Sequence, residues 1–271
     1  LNSILWQGTR MVLPAVGGVL IALADTWIIF ALCTVGFAVM ARILLSLQTP
    51  NSLPRDSDHN RGLGAAWRFI RQEKLFAVLI AMTWISMFFG TAYVQIMPVF
   101  AELLGTGEEG YGLLLSATGV GSVLGTILVG RLQNSPRLGS VMMGGSVLFS
   151  LSLILFALVN GLAADWRFAF ALACACAMLS AVGGSFFLIS SMTVMQLAVP
   201  DALRGRVMGI HSITFSLIAL GGLVLGPLAE LFSAPSALLI GVGVVLASIV
   251  GFSIKFDRLW HLNGQDQQLH L

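Results

Sequence analysis

Charge is what this chain has least of. Asp, Glu, Lys and Arg make up 10% of its 271 residues, where a soluble chain carries about 25%. A net charge of +2 leaves no basic excess for a nucleic-acid partner. Cysteine is scarce too: Cys33, Cys174 and Cys176 form no disulfide framework. Cys33 falls inside a hydrophobic run, and Cys174 and Cys176, two apart on a predicted helix, point to different faces. They read as small apolar helix residues. There is no glycine-rich loop closing on Gly-Lys-Ser or Gly-Lys-Thr, so nothing suggests ATP hydrolysis. His59, His211, His261 and His270 are dispersed without metal-ligand spacing. No catalytic constellation, metal site or cofactor is expected. His211 alone lies near the start of a hydrophobic run, either as a titrating group or as a simple interfacial imidazole. No signal peptide precedes the first run, and the chain opens on Leu1 rather than Met. It is read as the remainder of a longer protein.

What is there is apolar sequence, 57% of the chain, with a mean hydropathy of +0.94. Eight stretches follow one another. Six hold no charged residue: Leu75 to Ala101, Gly110 to Gly130, Leu138 to Ala164, Phe168 to Pro200, Val207 to Ala229 and Leu231 to Ile254. Two more, Ser3 to Ala24 and Thr26 to Gln48, hold one arginine each, Arg10 and Arg42. A helix needs roughly 20 apolar residues to cross the hydrocarbon core of a bilayer. The expected fold is all-α, a polytopic membrane protein of about eight transmembrane helices. If Leu1 starts in the cytoplasm, the cytoplasmic ends and loops hold twelve of the fourteen Lys and Arg residues, with Arg167 opposite and Arg10 inside a span. The positive-inside rule then puts both chain ends in the cytoplasm.

The longest polar connection runs from Thr49 to Lys74. It begins with turn-formers around Pro50 and Pro54 and ends in a segment where Leu63, Trp67 and Ile70 share a helical face beside Arg68, Arg71 and Lys74. That predicts a short amphipathic helix at the cytoplasmic membrane surface. The organisation is therefore two spans (1–48), a cytoplasmic linker (49–74), six spans (75–254) and a cytoplasmic tail (255–271).

Two spans place a proline beside small residues. The first contains Pro14, Gly17 and Gly18; the seventh contains Gly221, Gly222, Gly226 and Pro227. Proline bends a helix and nearby glycines let a neighbour approach. Each such span is followed by one more, as if at equivalent places in two related halves. Arg10 is the one cation well inside a span, either functional or snorkelling to the surface.

The segment Leu13-Pro14-Ala15-Val16-Gly17-Gly18 resembles the Gly-Pro-x-x-Gly-Gly motif of antiporters of the major facilitator superfamily, with Leu13 in place of the first glycine. The stretches around Tyr93 to Ala101, Gly110 to Ala117 and Val199 to Gly209 are similar to its drug and siderophore exporter branch, that of the enterobactin exporter and macrolide-efflux proteins. The resemblance implies two six-helix halves joined by a cytoplasmic linker, with the first four helices absent from this chain. It places the loops of Arg131 and Arg137, and of Arg204 and Arg206, on the cytoplasmic side, where they serve topology or gating. The Gly130 to Arg137 loop lacks the aspartate usual in the superfamily. The resemblance also implies that the third and sixth spans line a substrate path, with Thr91, Gln95, Ser185, Ser190, Thr193 and Gln196 as candidate contacts. Pro14, Gly17, Gly18, Gly226, Pro227 and Arg10 become gating or packing residues. Serine and threonine in such helices commonly bond their own backbone, and packing remains the alternative for each. The implied function is export of a small amphipathic molecule, of drug or siderophore type, across the cell (inner) membrane by alternating access. Proton coupling is implied by the resemblance alone, since no span has a carboxylate near its middle and Glu230 lies near an outer end. The alternative is a membrane scaffold or receptor that keeps the fold without transport.

Overall fold

The structure is a computed structural model that describes residues 27–46, 63–132, 135–164, 166–199, 201–256, 259–260 and 262. All regular elements among them are helical: α1 (Trp27–Ser46), α2 (Leu63–Gln72), α3 (Lys74–Leu103), α4 (Gly107–Leu132), α5 (Leu138–Leu162), α6 (Ala169–Ala198), α7 (Asp201–Ser212), α8 (Ser216–Phe232) and α9 (Ala234–Lys255). Six segments are long and apolar enough to cross a membrane; α7, a 3-10 turn at Ile213–Phe215 and α8 together form one of them. At 26 residues, α4 is about 39 Å long and exceeds a hydrocarbon core of about 30 Å. The first expected span, with Arg10, Pro14, Gly17 and Gly18, lies outside the described residues. The second is α1, whose large side chains, Phe30 and Phe37 among them, are exposed along its length. Such a helix is stable in lipid, where its backbone is satisfied internally.

Charge sorts the two ends. Arg131 closes α4, Arg137 precedes α5 and Lys255 closes α9 at one end. Glu108 and Glu109 open α4 at the other, where a helix N-terminus favours negative charge. At that acidic end α8 passes to α9 through Ser233 alone, at φ 114°, a conformation a side chain rarely takes. Its Oγ accepts from the Ser236 N–H and Pro235 opens the helix, so the turn is capped on the spot.

The helices do not pack in chain order. α6 lies between α4 and α5, which scarcely touch, and has its most extensive contact with α5. α5 continues to α9, and α9 and α8 enclose the middle of α3. Backbones meet through glycine. A Cβ on Gly183 of α6 would lie 2.6 Å from the Gly145 carbonyl of α5, and one on Gly145 would lie 2.8 Å from the Gly183 carbonyl. Gly125 of α4 is equally close to Val182 and Ser185. Small residues at helix contacts are the rule in lipid, where packing rather than hydrophobicity holds helices together.

Two apolar layers fill the bundle. The layer toward the acidic end holds Phe100, Leu114, Leu153 and Phe156, with the Phe156 ring edge-on to Tyr93 and Phe100. The layer toward the basic end holds Phe76, Leu79, Met142, Met195 and Val207. Two elements outside the spans close it. Ile70 of α2 is buried there while Arg68 and Arg71 stay exposed, so the amphipathic helix rests on α3 and α7. Beyond α9 the chain turns back: the Gly139 N–H donates to the Leu262 carbonyl (3.0 Å) and Ser140 Oγ donates to the Trp260 carbonyl (3.1 Å). Two groups at the N-terminus of α5 thereby gain partners, and Leu259 and Leu262 are buried.

Candidate binding cavity

The middle of α3 is not an α-helix. It runs as α-helix to Ile85, widens into a π turn over Ser86–Gly90, tightens into a 3-10 helix over Thr91–Ile96, and resumes as α-helix at Met97. Pro98 sits in the first turn of that last piece, where its missing N–H costs nothing. The widened turn pushes carbonyls outward, and its neighbours make room. The Phe88 carbonyl faces Gly221 of α8, and the Phe89 carbonyl lies 2.6 Å from where a Cβ on Gly241 of α9 would be. The break is thus held by glycines on two other helices. π turns of this kind recur at functional sites.

Beside the break, between the two apolar layers, lies a cavity of about 120 Å³ that opens on one side of the bundle. Thr91, Tyr93 and Val94 of α3, Thr118 and Ser122 of α4, and Ser180 and Ser185 of α6 line it, with Phe149 and Phe215 as aromatic walls. No Asp, Glu, Lys, Arg or His is in this lining. Four of its hydroxyls have partners. Ser180 Oγ donates to the Ala177 carbonyl (2.8 Å) and Thr118 Oγ1 to the Leu115 carbonyl (2.6 Å). Ser185 Oγ donates across helices to the Ser122 carbonyl (3.3 Å), and the Tyr93 hydroxyl stands 3.4 Å from Ser180 Oγ. A hydroxyl whose proton is committed to a carbonyl still offers its lone pairs. The wall is apolar and aromatic, with a patch of hydrogen-bond acceptors.

Of the residues singled out by sequence, the structure brings Thr91 and Ser185 into this cavity. Gln95, one turn past Thr91, is exposed, and its stem covers Gly222 of α8. Ser190 is fully buried in α6 away from the lining, Thr193 bonds its own helix at Ile189, and Gln196 is exposed toward the basic end. A Cβ on Gly226 would meet nothing within 4 Å, and Pro227 is exposed; the close approach of α8 to α3 is made by Gly221 and Gly222 one turn earlier. Arg131 and Arg137 are exposed at the ends of α4 and α5. Arg206 on α7 is half-buried with Nη1 unpartnered, and Arg204 is on the same helix. Thr118 and Ser122 were not singled out. Their spacing of four, with Gly119 between, puts both on one face of α4 and was the signal available.

The sequence pattern of the transmembrane secretion effector family matches residues 1–268. The chain belongs to that family, within the major facilitator superfamily. Among known proteins it is 26% identical over 246 residues to the enterobactin exporter of Shigella flexneri, a match that covers 88% of this chain and 56% of that protein. The enterobactin exporters of Escherichia coli O1:K1 and of Shigella boydii serotype 18 are likewise 26% identical, over 88% of this chain and 57% of theirs. The chain spans little more than half the length of these relatives. Membership accounts for the all-helical membrane architecture and points to a transporter rather than an enzyme.

Proposed function

We propose that this chain forms one side of a secondary active exporter of small amphipathic molecules, working by alternating access. In this reading residues 75–254 act as one six-helix half. Residues 1–48 belong to the other half, 49–74 link the two, and 255–271 form the tail. The basic end faces the cytoplasm, as the positive-inside rule requires. The cavity carries the proposal: it is partly open, apolar with a few hydroxyls, and lies beside the π and 3-10 break in α3. Sites at mid-depth beside broken helices are how transporters expose a ligand to either side.

The lining describes a guest with an apolar, preferably aromatic body and hydrogen-bond donors to meet the Ser180, Ser185 and Thr118 oxygens. Thr91 and Ser185 are proposed as direct contacts. Gln95, Ser190, Thr193 and Gln196 line the route only if it extends beyond the cavity. The cytoplasmic arginines, Arg131, Arg137, Arg204 and Arg206, hold the topology. Proton coupling rests on family likeness. The test is flux of enterobactin from proteoliposomes holding the intact exporter, with and without a pH gradient. Gradient-stimulated flux supports the reading. Normal insertion with no flux of enterobactin or of amphipathic drugs would favour a scaffold that retains the fold.

A further inference from the structure

His211 has no place in the cavity, yet it is the most unusual side chain in the bundle. It ends α7 within the membrane-spanning segment Gly205–Phe232, only 3% exposed, and its Nε2 has no hydrogen-bond partner. One turn on, Thr214 is fully buried and its Oγ1 is also without a partner. A simple interfacial imidazole, one of the two expectations from sequence, would keep its nitrogens in water. Burying a polar atom without a partner destabilises the state in which it is buried. Such an atom is best understood as satisfied in a second state of the protein.

The surroundings say how that second state is reached. The helix breaks just after the imidazole, where α7 gives way to the 3-10 turn Ile213–Phe215. Short 3-10 stretches inside helices mark hinges. Of the other helices, α7 packs chiefly against α2, a short helix outside the spans. A swing of α7 about the 3-10 turn would lift Val207 and Ile210 from the basic-end layer and leave the contacts of α6 with α4 and α5 in place.

The charges are arranged on one side of the question. On α7 itself stand Asp201, Arg204 and Arg206. α2 brings Arg68 and Arg71, both exposed, followed by Glu73 and Lys74; the 3-10 turn brings none. Val207 and Ile210 enter the basic-end layer with α3, α5, α6 and α9, whose charged groups at that end are Lys74, Arg137 and Lys255, all exposed. α6 contributes the buried, unpartnered hydroxyls of Ser190 and Ser191. No carboxylate in the described spans is placed to hold an imidazolium in the closed arrangement.

We propose that His211 is a proton-binding site, neutral while the basic end is closed over it, and that it takes up a proton when α7 swings and admits water. The sign follows from linkage. A proton that binds one state better shifts the population toward that state. Acidification on the basic side therefore favours the arrangement open on that side. This rests on the alternating-access reading, but its test needs no substrate.

The experiment uses the chain itself in lipid nanodiscs with 13Cε1-labelled histidine. His59, His261 and His270 are replaced singly by glutamine, and the signal that survives all three replacements is His211. Its shift reports protonation, and broadening by a membrane-impermeant gadolinium chelate reports water access, followed between about pH 8 and about pH 5, where an imidazole changes charge. The expected result is that protonation and broadening of this one signal appear over the same pH interval, with an unbroadened neutral signal above it. Broadening at every pH would show a surface imidazole and overturn the proposal. A neutral, unbroadened signal throughout would show a packing imidazole and overturn it equally. Absence of enterobactin flux in the intact exporter would remove the export reading and leave this titration as it stands.

Discussion

Two glycines on neighbouring helices, Gly183 of α6 and Gly144 of α5, should respond in opposite directions to the same substitution. A Cβ added to Gly183 would lie 2.5 Å from the Phe149 nitrogen and 2.6 Å from the Gly145 carbonyl, both backbone atoms that no rotamer change can move. Cβ atoms essentially never come within 3.0 Å of another heavy atom, so α5 and α6 must part by several tenths of an ångström. A gap of about 0.5–1 Å forfeits a quarter to a half of each contact's dispersion energy, and this is the largest helix interface in the bundle. Overpacking of this kind costs about 1–3 kcal/mol, offset by the roughly 1 kcal/mol that alanine gains over glycine inside a helix. Gly183→Ala should therefore destabilise by up to about 2 kcal/mol. A Cβ on Gly144, next to the contact glycine of α5, would meet nothing within 4 Å, so Gly144→Ala keeps the gain, about 1 kcal/mol. The two variants should differ by about 1–3 kcal/mol, which at roughly 2–4 °C per kcal/mol separates their melting points by about 2–12 °C. The buried Cys176 of α6 is a built-in reporter, reacting with a thiol dye when α6 is released, over a baseline from the exposed Cys33. Gly183→Ala melting at or above Gly144→Ala would refute the packing argument.

Three further outcomes follow from the geometry. If the cavity is the export site proposed above, Tyr93→Phe, which removes the hydroxyl beside Ser180 and keeps the ring against Phe156, should raise the KM of a transported amphipathic substrate about 2–12-fold, the worth of one net hydrogen bond, with abundance unchanged, whereas Gln95→Leu, whose stem only covers Gly222, should leave KM as it is. Ile70→Ala empties a buried position on α2 at a cost of about 2–5 kcal/mol, so limited trypsin digestion at Arg68 and Arg71 should quicken while the spans stay protected; an unchanged rate would show that Ile70 does not hold α2 down. Cysteines replacing Arg137 and Trp166, both exposed and at opposite ends, should label from opposite faces of the membrane, and labelling from one face would overturn the orientation.

The spans were legible because an apolar run of twenty residues has one main physical solution in lipid. The amphipathic α2 was legible from Leu63, Trp67 and Ile70, though not that its partner is α7. The break in α3 was not legible: Ser86 to Ile96 contains one glycine and no proline, and the room for its carbonyls is supplied by Gly221 and Gly241, far away in sequence. The glycines of the seventh span were legible as a group, but not that Gly221 and Gly222, rather than Gly226 beside Pro227, make the contact with α3. The cavity was half legible for a similar reason. Thr91 and Ser185 lie on helices that family likeness marks, whereas Thr118 and Ser122 lie on α4, which that likeness does not mark.

The position of α6 between α4 and α5 also bears on how the protein is made. α4 and α5 leave the ribosome in turn and remain tethered by a short loop, yet neither has its partner. Gly121 and Gly125 on one, and Gly145 on the other, find their neighbours only on α6. Until α6 is synthesised these bare faces rest against lipid, which is tolerable because hydrocarbon does not drive apolar helices together. Insertion and assembly are therefore separate events here, and a chain stopped before Ala169 would insert α4 and α5 without being able to join them. The third helix to arrive is the wedge that turns two neighbours in sequence into members of one bundle.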